Sequence, residues 1–403
     1  MKDRDHRFRV AVRRFAPFES AIARQWAAFE LQAHTGLQLE VVPMDMHPLS
    51  DATLGPEAGS NWDAVMVNTD WVATALNRGA LLDLSDLIRS GPPEGYPDAW
   101  TPSMLRLQTV DGAVLGLPYH DGPECLIYRK DLFEAAKERV PKTWEDFTRL
   151  ARKFHQPEKG LYGTVFAAYP DGHNSVYDFC MQLWTRGGEL TRPSGEFCFD
   201  SLPSMQALAF LREAINDRSA AHPACRELDS VKSGLAFAAG EVAMMVNWFG
   251  FAAMAESHRD SKVRGKVGVA PVPHASGSSG TSLNIYWLLS IPSGAVHKKT
   301  AWQYLRHCAS APMDKLLTLE GGIGCRRSTW SDRDVNTAIP FYGRMEELHA
   351  FAREMPRMAA WPQVAEIIDR MVLAAINTSA TIEAIAGDAQ SEVQKLLPHF
   401  NCG

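Results

Sequence analysis

The sequence predicts an α/β protein of two lobes, and three observations carry the prediction. The chain has 403 residues, more than a single hydrophobic core usually grows to fill, so two lobes are the default. The opening then runs strand, helix, strand: 8–12 alternates, 18–34 sets Ile22, Trp26, Phe29 and Ala33 at helical spacing before Gly36, and 37–42 reads as a second strand. Finally, a buried strand at 64–67 ends in the polar loop Asn68-Thr69-Asp70-Trp71, which opens a helix that stops at Gly79. Strands that alternate with helices are the signature of a parallel sheet covered by helices. Ligands of such sheets sit beyond the carboxyl ends of the strands, here the loops around Arg14-Phe15, 68–71 and 119–121.

The later elements come in order. After Gly79 there is a Leu-Asp-Leu docking turn, then an alternating strand that runs into Leu117-Pro118 and a polar break at 119–124. A strand at 126–128 leads into a lobe rich in helix, with segments at 130–139, 143–153, 176–186, 202–216 and 231–238. Pro141-Lys142-Thr143-Trp144 punctuates before the second of these. The stretch 237–251 reads as a helix end, a turn at Gly240 and a buried strand that runs into an aromatic loop. A short strand within 265–273 ends in prolines, a Gly/Ser-rich loop covers 276–282, and the strand 285–291 returns to the first lobe. Helices are expected at 299–309 and 311–319, then the glycine turn 321–324, and last the helices 358–376 and 381–397 with a break at 378–381.

Composition narrows the function. A net charge of −6 with no dense Lys/Arg tract gives no broad attraction to phosphate backbones or anionic lipid, so nucleic acid is not an expected partner. No run approaches the ~18–20 apolar residues that span a bilayer. The start, MKDRDHRFRVAVRRF, is charged and has no apolar stretch of the secretory kind; it fits a mature exported protein and equally one that stays in the cytoplasm. The seven cysteines, Cys125, Cys180, Cys198, Cys225, Cys308, Cys325 and Cys402, are odd in number and widely spaced without a CxxC, and read as buried or free thiols, not a disulfide framework. There is no HExxH, GxSxG or Walker A, and thirteen His are scattered. The 321–324 glycines come after a helix, the wrong context for a dinucleotide fingerprint. Asp121 and Glu124 could mimic a glycosidase pair, but sequence spacing does not fix their separation. Ligand capture, not catalysis, is the expectation, with no metal and no cofactor.

The two segments 62–88 (WDAVMVNTDWVATALNRGALLDLSDLI) and 111–147 (DGAVLGLPYHDGPECLIYRKDLFEAAKERVPKTWEDF) closely resemble the extracellular solute-binding proteins of ABC importers, family 1, the carbohydrate-binding group that includes maltose-binding protein. AFAAGEVAMMVNW, GKVGVAPVPHASGSSG, NIYWLLSIPSGAVHKKTAWQYLRHCAS, GGIGCRRSTWSD and TSATIEAIAGDAQSEVQKLL are similar to the family's later stretches, in its order and spacing. The resemblance implies a type II periplasmic-binding-protein fold, with a discontinuous N-terminal lobe at 1–119 and 284–325 and a C-terminal lobe at 120–283 and 326–403. It puts crossings near 119–123, 282–285 and 324–328. It further implies a monomeric periplasmic protein that closes its lobes on a sugar-like ligand and hands it to an ABC membrane permease.

A sugar has an apolar C–H face and an equator of hydroxyls, so its site pairs aromatic rings with planar polar groups. Asp70-Trp71, Tyr119-His120-Asp121, Asn247-Trp248 and Asn284-Ile285-Tyr286-Trp287 each pair the two chemistries. By resemblance Asp70 and Trp71 lie in the family's first-lobe binding loop, Trp248 in its second-lobe aromatic loop and Trp287 at its strand start. Phe15, Asn174 and Tyr177 are further candidates, and Arg326 or Arg327 could hold a hydroxyl or an anion in bidentate fashion. Plainer roles compete: Trp26 and Trp144 lie at core spacing, Asp70 could cap its helix, and either arginine could pair with an acidic neighbour. The polar break at 119–124 leaves the ligand open. Arg14 and Arg326/Arg327 would favour an anion, such as an anionic sugar or glycerol phosphoester; Asp70, Asp121 and Glu124 would favour a cation, such as a polyamine, or a neutral polyol. A sensor that uses the same fold without transport is the alternative of another class.

Overall fold

The computed structural model describes residues 6–55 and 61–397. The chain divides into two compact units, each gathered from separate stretches. The first takes the chain through Gly122, then Ile285–Met345 and Met355–Ala359; the second takes Pro123–Asn284, Glu346–Glu354 and the chain from Ala360 onward. The stretch 324–328, expected as a crossing, lies inside the first unit. A buried carboxylate holds it there: Asp314 accepts from the Cys325 and Arg326 amides (2.8 and 3.2 Å) and from Thr329 Oγ1 (2.5 Å).

The first unit is built on a five-stranded sheet in the order Gln38–Met44, Arg7–Arg13, Ala64–Asn68, Trp287–Ser290, Leu117–His120. Arg7–Arg13 is parallel to both of its neighbours, whereas Trp287–Ser290 is antiparallel to both of its own. The sheet is therefore mixed, not all parallel as the opening pattern predicts. A periodicity of two records which face a residue takes but not which way the strand runs, and no local crossover ties this late strand to its partners. The helix Ala16–Ala33 begins with Pro17 in its first turn and ends at His34 in the left-handed region. It lays Trp26 on Phe8 at 4.6 Å and against Tyr304 at 5.2 Å, with Phe29 at 5.5 Å from Tyr304. Each of these buried rings contributes roughly 2–3 kcal/mol of transfer free energy, and Trp26 is a core residue as its spacing suggests.

The second unit has a four-stranded sheet in the order Val267–Ala270, Glu124–Arg129, Val242–Trp248, Tyr162–Thr164. Only the last pair is parallel. Its helices start where capping side chains are found: Thr143 before Trp144–Phe154, Ser201 before Leu202–Asn216, Asp229 before Ser230–Ala238 and Thr381 before Ile382–Leu396 each accept from a backbone amide. Trp144 is buried and donates to Thr185 Oγ1 at 2.9 Å. Gly240 turns the chain at φ 81°, a conformation that favours glycine, and delivers it to Val242–Trp248. Beyond Trp248 the chain forms the helix Phe249–Ser257 instead of the expected aromatic loop. Ala252, Ala253, Met254 and Ala255 are good helix formers, and they outweigh the aromatic start. Asn174–Trp184, Leu202–Asn216, Trp361–Asn377 and Ile382–Leu396 pack on one another. Six cysteines are buried free thiols; Cys402 lies outside the described residues. No described helix is long and apolar enough to cross a membrane.

Candidate functional site

In the first unit the carboxyl ends of the parallel strands meet the start of the antiparallel one. Trp287 is opposite Asn68 on one side and His120 on the other. The loop after Asn68 is a tight turn, Thr69–Trp71, that leads into the helix Val72–Asn77, and Gly79 (φ 59°) ends it. Asn68, not Asp70, supplies the cap: its Oδ1 accepts from the Asp70 amide at 3.3 Å. Thr69 ties the turn to the neighbouring strand. Its amide donates to Tyr286 O at 3.1 Å and its hydroxyl accepts from the Tyr286 amide at 3.2 Å. As a result Trp71 and Trp287 stand edge to face, 5.8 Å between centroids and 87° between planes, both half-buried. Two rings at right angles, beside Asp70, offer one face for stacking and one wall.

His120 is fixed as a neutral donor. Its Nδ1 accepts from the Ile323 amide at 2.8 Å, which leaves the proton on Nε2. Burial pushes its pKa down to about 4, against a raising influence from Asp121. Phe18 packs edge-on to the His120 ring at 4.6 Å, and Phe15 to Phe18 at 5.0 Å. Asp121 is buried, with its amide bonded to Ile323 O at 2.9 Å.

Several expected site residues of this unit have their polar atoms bonded within it. Tyr119 and Tyr286 are buried, and their hydroxyls are committed inside the unit, to Gln25 Oε1 at 2.9 Å and to Met104 O respectively. Arg326 is buried as well; its Nη1 donates to Ala309 O at 2.7 Å and Glu94 O at 2.9 Å, with the guanidinium 4.8 Å from the Trp100 ring. Arg327 is exposed and lines an open groove of about 510 Å³ with Pro97, Asp98, Trp100 and Arg106. Arg14 pairs with Asp45 at 3.2 Å. The arginines that would have argued for an anion are thus occupied or set in a separate groove.

The second unit brings together a different set. Trp248 ends its strand half-buried, edge-on to Tyr177 at 5.6 Å, with His173 4.4 Å from Tyr177 and 6.4 Å from Trp248. Asn247 is spent on holding that strand end: its amide nitrogen donates to Ser230 O at 3.1 Å and its oxygen accepts from the Trp248 amide at 2.8 Å. Asn174 is buried and donates to Asp171 at 3.4 Å. Asn284 is 1% exposed, and neither polar atom of its amide has a hydrogen-bond partner.

Two acids lie near these rings: Glu124, which the sequence offers among the acids that could face a ligand, and Asp178, which it does not single out. Glu124 is opposite Trp248 in the antiparallel register, so both side chains leave the same sheet face. Burial, with Asp178 nearby, raises its pKa well above the carboxylate range; burial and Asp171 raise that of Asp178 to about 7. The one clue in the sequence is a charged residue at the head of an otherwise apolar strand, Glu124-Cys125-Leu126-Ile127.

The profile of the bacterial extracellular solute-binding proteins matches residues 13–315. A probable ABC transporter-binding protein of Deinococcus radiodurans is 26% identical over 322 residues, 78% of this chain and 74% of its own. The mannitol-binding protein of Pseudomonas aeruginosa is 26% identical over 270 residues, 62% of this chain and 59% of its own. Among solved structures, maltose-bound MalE3 of T. maritima superposes with a TM-score of 0.88 at 24% identity, covering 97% of this chain and all of that one. A solute-binding protein of Agrobacterium radiobacter K84 in complex with ribitol gives 0.88 at 25% identity, over 96% and 98%. The fold is the type II periplasmic-binding-protein fold. With three quarters of its length matched by the family profile, the chain belongs to the bacterial extracellular solute-binding proteins.

Proposed function

We propose that this chain is the ligand-capturing component of an ABC importer, that it works in the periplasm, and that its ligand is a small carbohydrate or polyol which it delivers to a membrane permease. The observation that carries the reading is the repeated device of a half-buried tryptophan set edge-on to a second ring beside polar groups: Trp71 with Trp287 in one unit, Trp248 with Tyr177 in the other. Such pairs suit a molecule with a C–H face and a hydroxyl rim. Asp70, His120, Asp121 and Asn284 supply the rim contacts. Relatives named for mannitol and solved with maltose or ribitol support the same class. Binding is the whole of the chemistry; the energy for transport comes from ATP hydrolysed by a separate subunit.

The test is a thermal-shift screen of the full chain against mono- and disaccharides, polyols, sugar phosphates and polyamines. A ligand at about 1,000 times its Kd adds roughly 4 kcal/mol, a shift of several degrees. A hit among sugars or polyols that is lost in Trp248→Ala is the expected result. Hits confined to phosphates, or none at all, would overturn the ligand class.

A further inference from the structure

Glu124 is 4% exposed, and its Oε2 has no hydrogen-bond partner. Buried carboxyls are normally paired with a cation or bonded by several donors. Neither Glu124 nor Asp178 has an ion-pair partner among the described residues. Arg353, whose charge acts on the nearby Cys180, is engaged by both oxygens of Glu189 and lies over the Trp184 ring. The other titratable groups that interact with this pair are Asp171, which precedes the helix Asn174–Trp184, and Cys180 within it; neither brings a positive charge.

A second, independent observation points the same way. Ser282 donates its hydroxyl to Glu124 O at 2.6 Å. Asn284 lies two residues further along the same extended stretch, since the Ser282 and Asn284 amides donate to Phe351 O and Arg353 O in turn. Alternate residues of a strand face the same side, so the unpartnered Asn284 amide is aimed where the Ser282 hydroxyl is, toward the Glu124 strand. Trp248 and Tyr177 complete the surroundings with two π faces.

We propose that Glu124, Asp178 and Asn284 form an amine-selecting wall beside Trp248 and Tyr177, and that the carbohydrate or polyol taken by this protein carries a protonated amine. This rests on the carbohydrate reading and narrows it. The ammonium supplies the counter-charge the two acids lack, donates to Glu124 Oε2 and Asn284 Oδ1, and lies against the rings in cation–π fashion. Burial and the acidic neighbours raise the pKa of both acids, and an ammonium beside them would favour their charged forms.

Titration calorimetry on the full chain at pH 7 compares matched pairs: D-glucitol with 1-amino-1-deoxy-D-glucitol, and D-glucose with D-glucosamine, N-acetyl-D-glucosamine serving as the neutral control of similar bulk. The amine member is expected to bind about ten-fold more tightly or better. That preference should fall below about three-fold in both Glu124→Gln and Asp178→Asn, each first confirmed to melt cooperatively; either variant suffices if the other does not fold. Equal or tighter binding of the neutral members, or a preference that survives in a folded variant, overturns the assignment and leaves the carbohydrate reading intact. No binding of any member, together with a screen silent for sugars and polyols, overturns both.

Discussion

Replacing Asp178 by Asn should make the unliganded protein more stable at pH 8 while leaving it unchanged at pH 4. Asp178 has a pKa held up at about 7 by burial and by Asp171, against an ordinary 3.8. In that window the folded chain binds more protons than the unfolded one, so stability falls as pH rises from about 4 to about 7 and then levels off. The full difference corresponds to about 4 kcal/mol. Asp178 is half-buried, and water screening brings the expected figure nearer to about 2 kcal/mol. Asn keeps the shape and removes the titration, so the variant should gain about 2 kcal/mol at pH 8, or about 4–8 °C in Tm, with the gain fading as pH drops from about 7 to about 4. Urea unfolding of both proteins at half-unit pH steps measures it. A variant no more stable than wild type at pH 8, or a gain of equal size at pH 4, refutes the reasoning. Stability surrendered for an ionisable site is the usual stability–function trade.

The same geometry sets three other outcomes. Asp314→Ala strips the acceptor from three buried donors and should cost about 3–5 kcal/mol in urea unfolding, with Asp314→Asn costing less because one oxygen remains. Tyr119→Phe loses only the Gln25 bond; it should cost about 1 kcal/mol and leave ligand affinity unchanged in titration calorimetry, whereas a large loss of affinity would return Tyr119 to the site. Trp71→Ala should do the reverse, weakening the ligand found in the thermal screen by about ten-fold or more with a smaller change in the melting of the free protein.

The helices were the most readable part of the chain. Leu202–Asn216 and Ala311–Leu319 have the bounds the sequence predicts, each with a proline in the first turn, and Thr143 and Thr381 act as caps where the sequence breaks. Local signals suffice for local structure. The direction of Trp287–Ser290 was hidden because its partners lie far away in the chain. The same distance hides the partners of Tyr119, Tyr286 and Arg326. An aromatic ring with a hydroxyl, or a guanidinium in a turn, looks alike whether it faces a ligand or a buried carbonyl, and the deciding partners are Gln25, Met104, Ala309 and Glu94. Trp71, Trp248 and Trp287 fared differently: each lies at or near the end of a strand, and the structure leaves each half-buried. Glu124 is legible in the sequence as an acid of the polar break at 119–124, but its lack of a counter-charge is not, because a missing partner leaves no trace in sequence.

The insertion of Trp287–Ser290 between Ala64–Asn68 and Leu117–His120 also has a consequence for biosynthesis. The ribosome makes the two flanking strands early and the strand that joins them only about 170 residues later, a delay of roughly ten to thirty seconds at ~5–20 residues per second. Throughout that interval both flanking strands keep an open hydrogen-bonding edge, the feature that invites pairing with another chain. All four strands of the second unit's sheet are made within that interval, before the first sheet has its full set. The sheet of the first unit can therefore be completed only when nearly three quarters of the chain has been made.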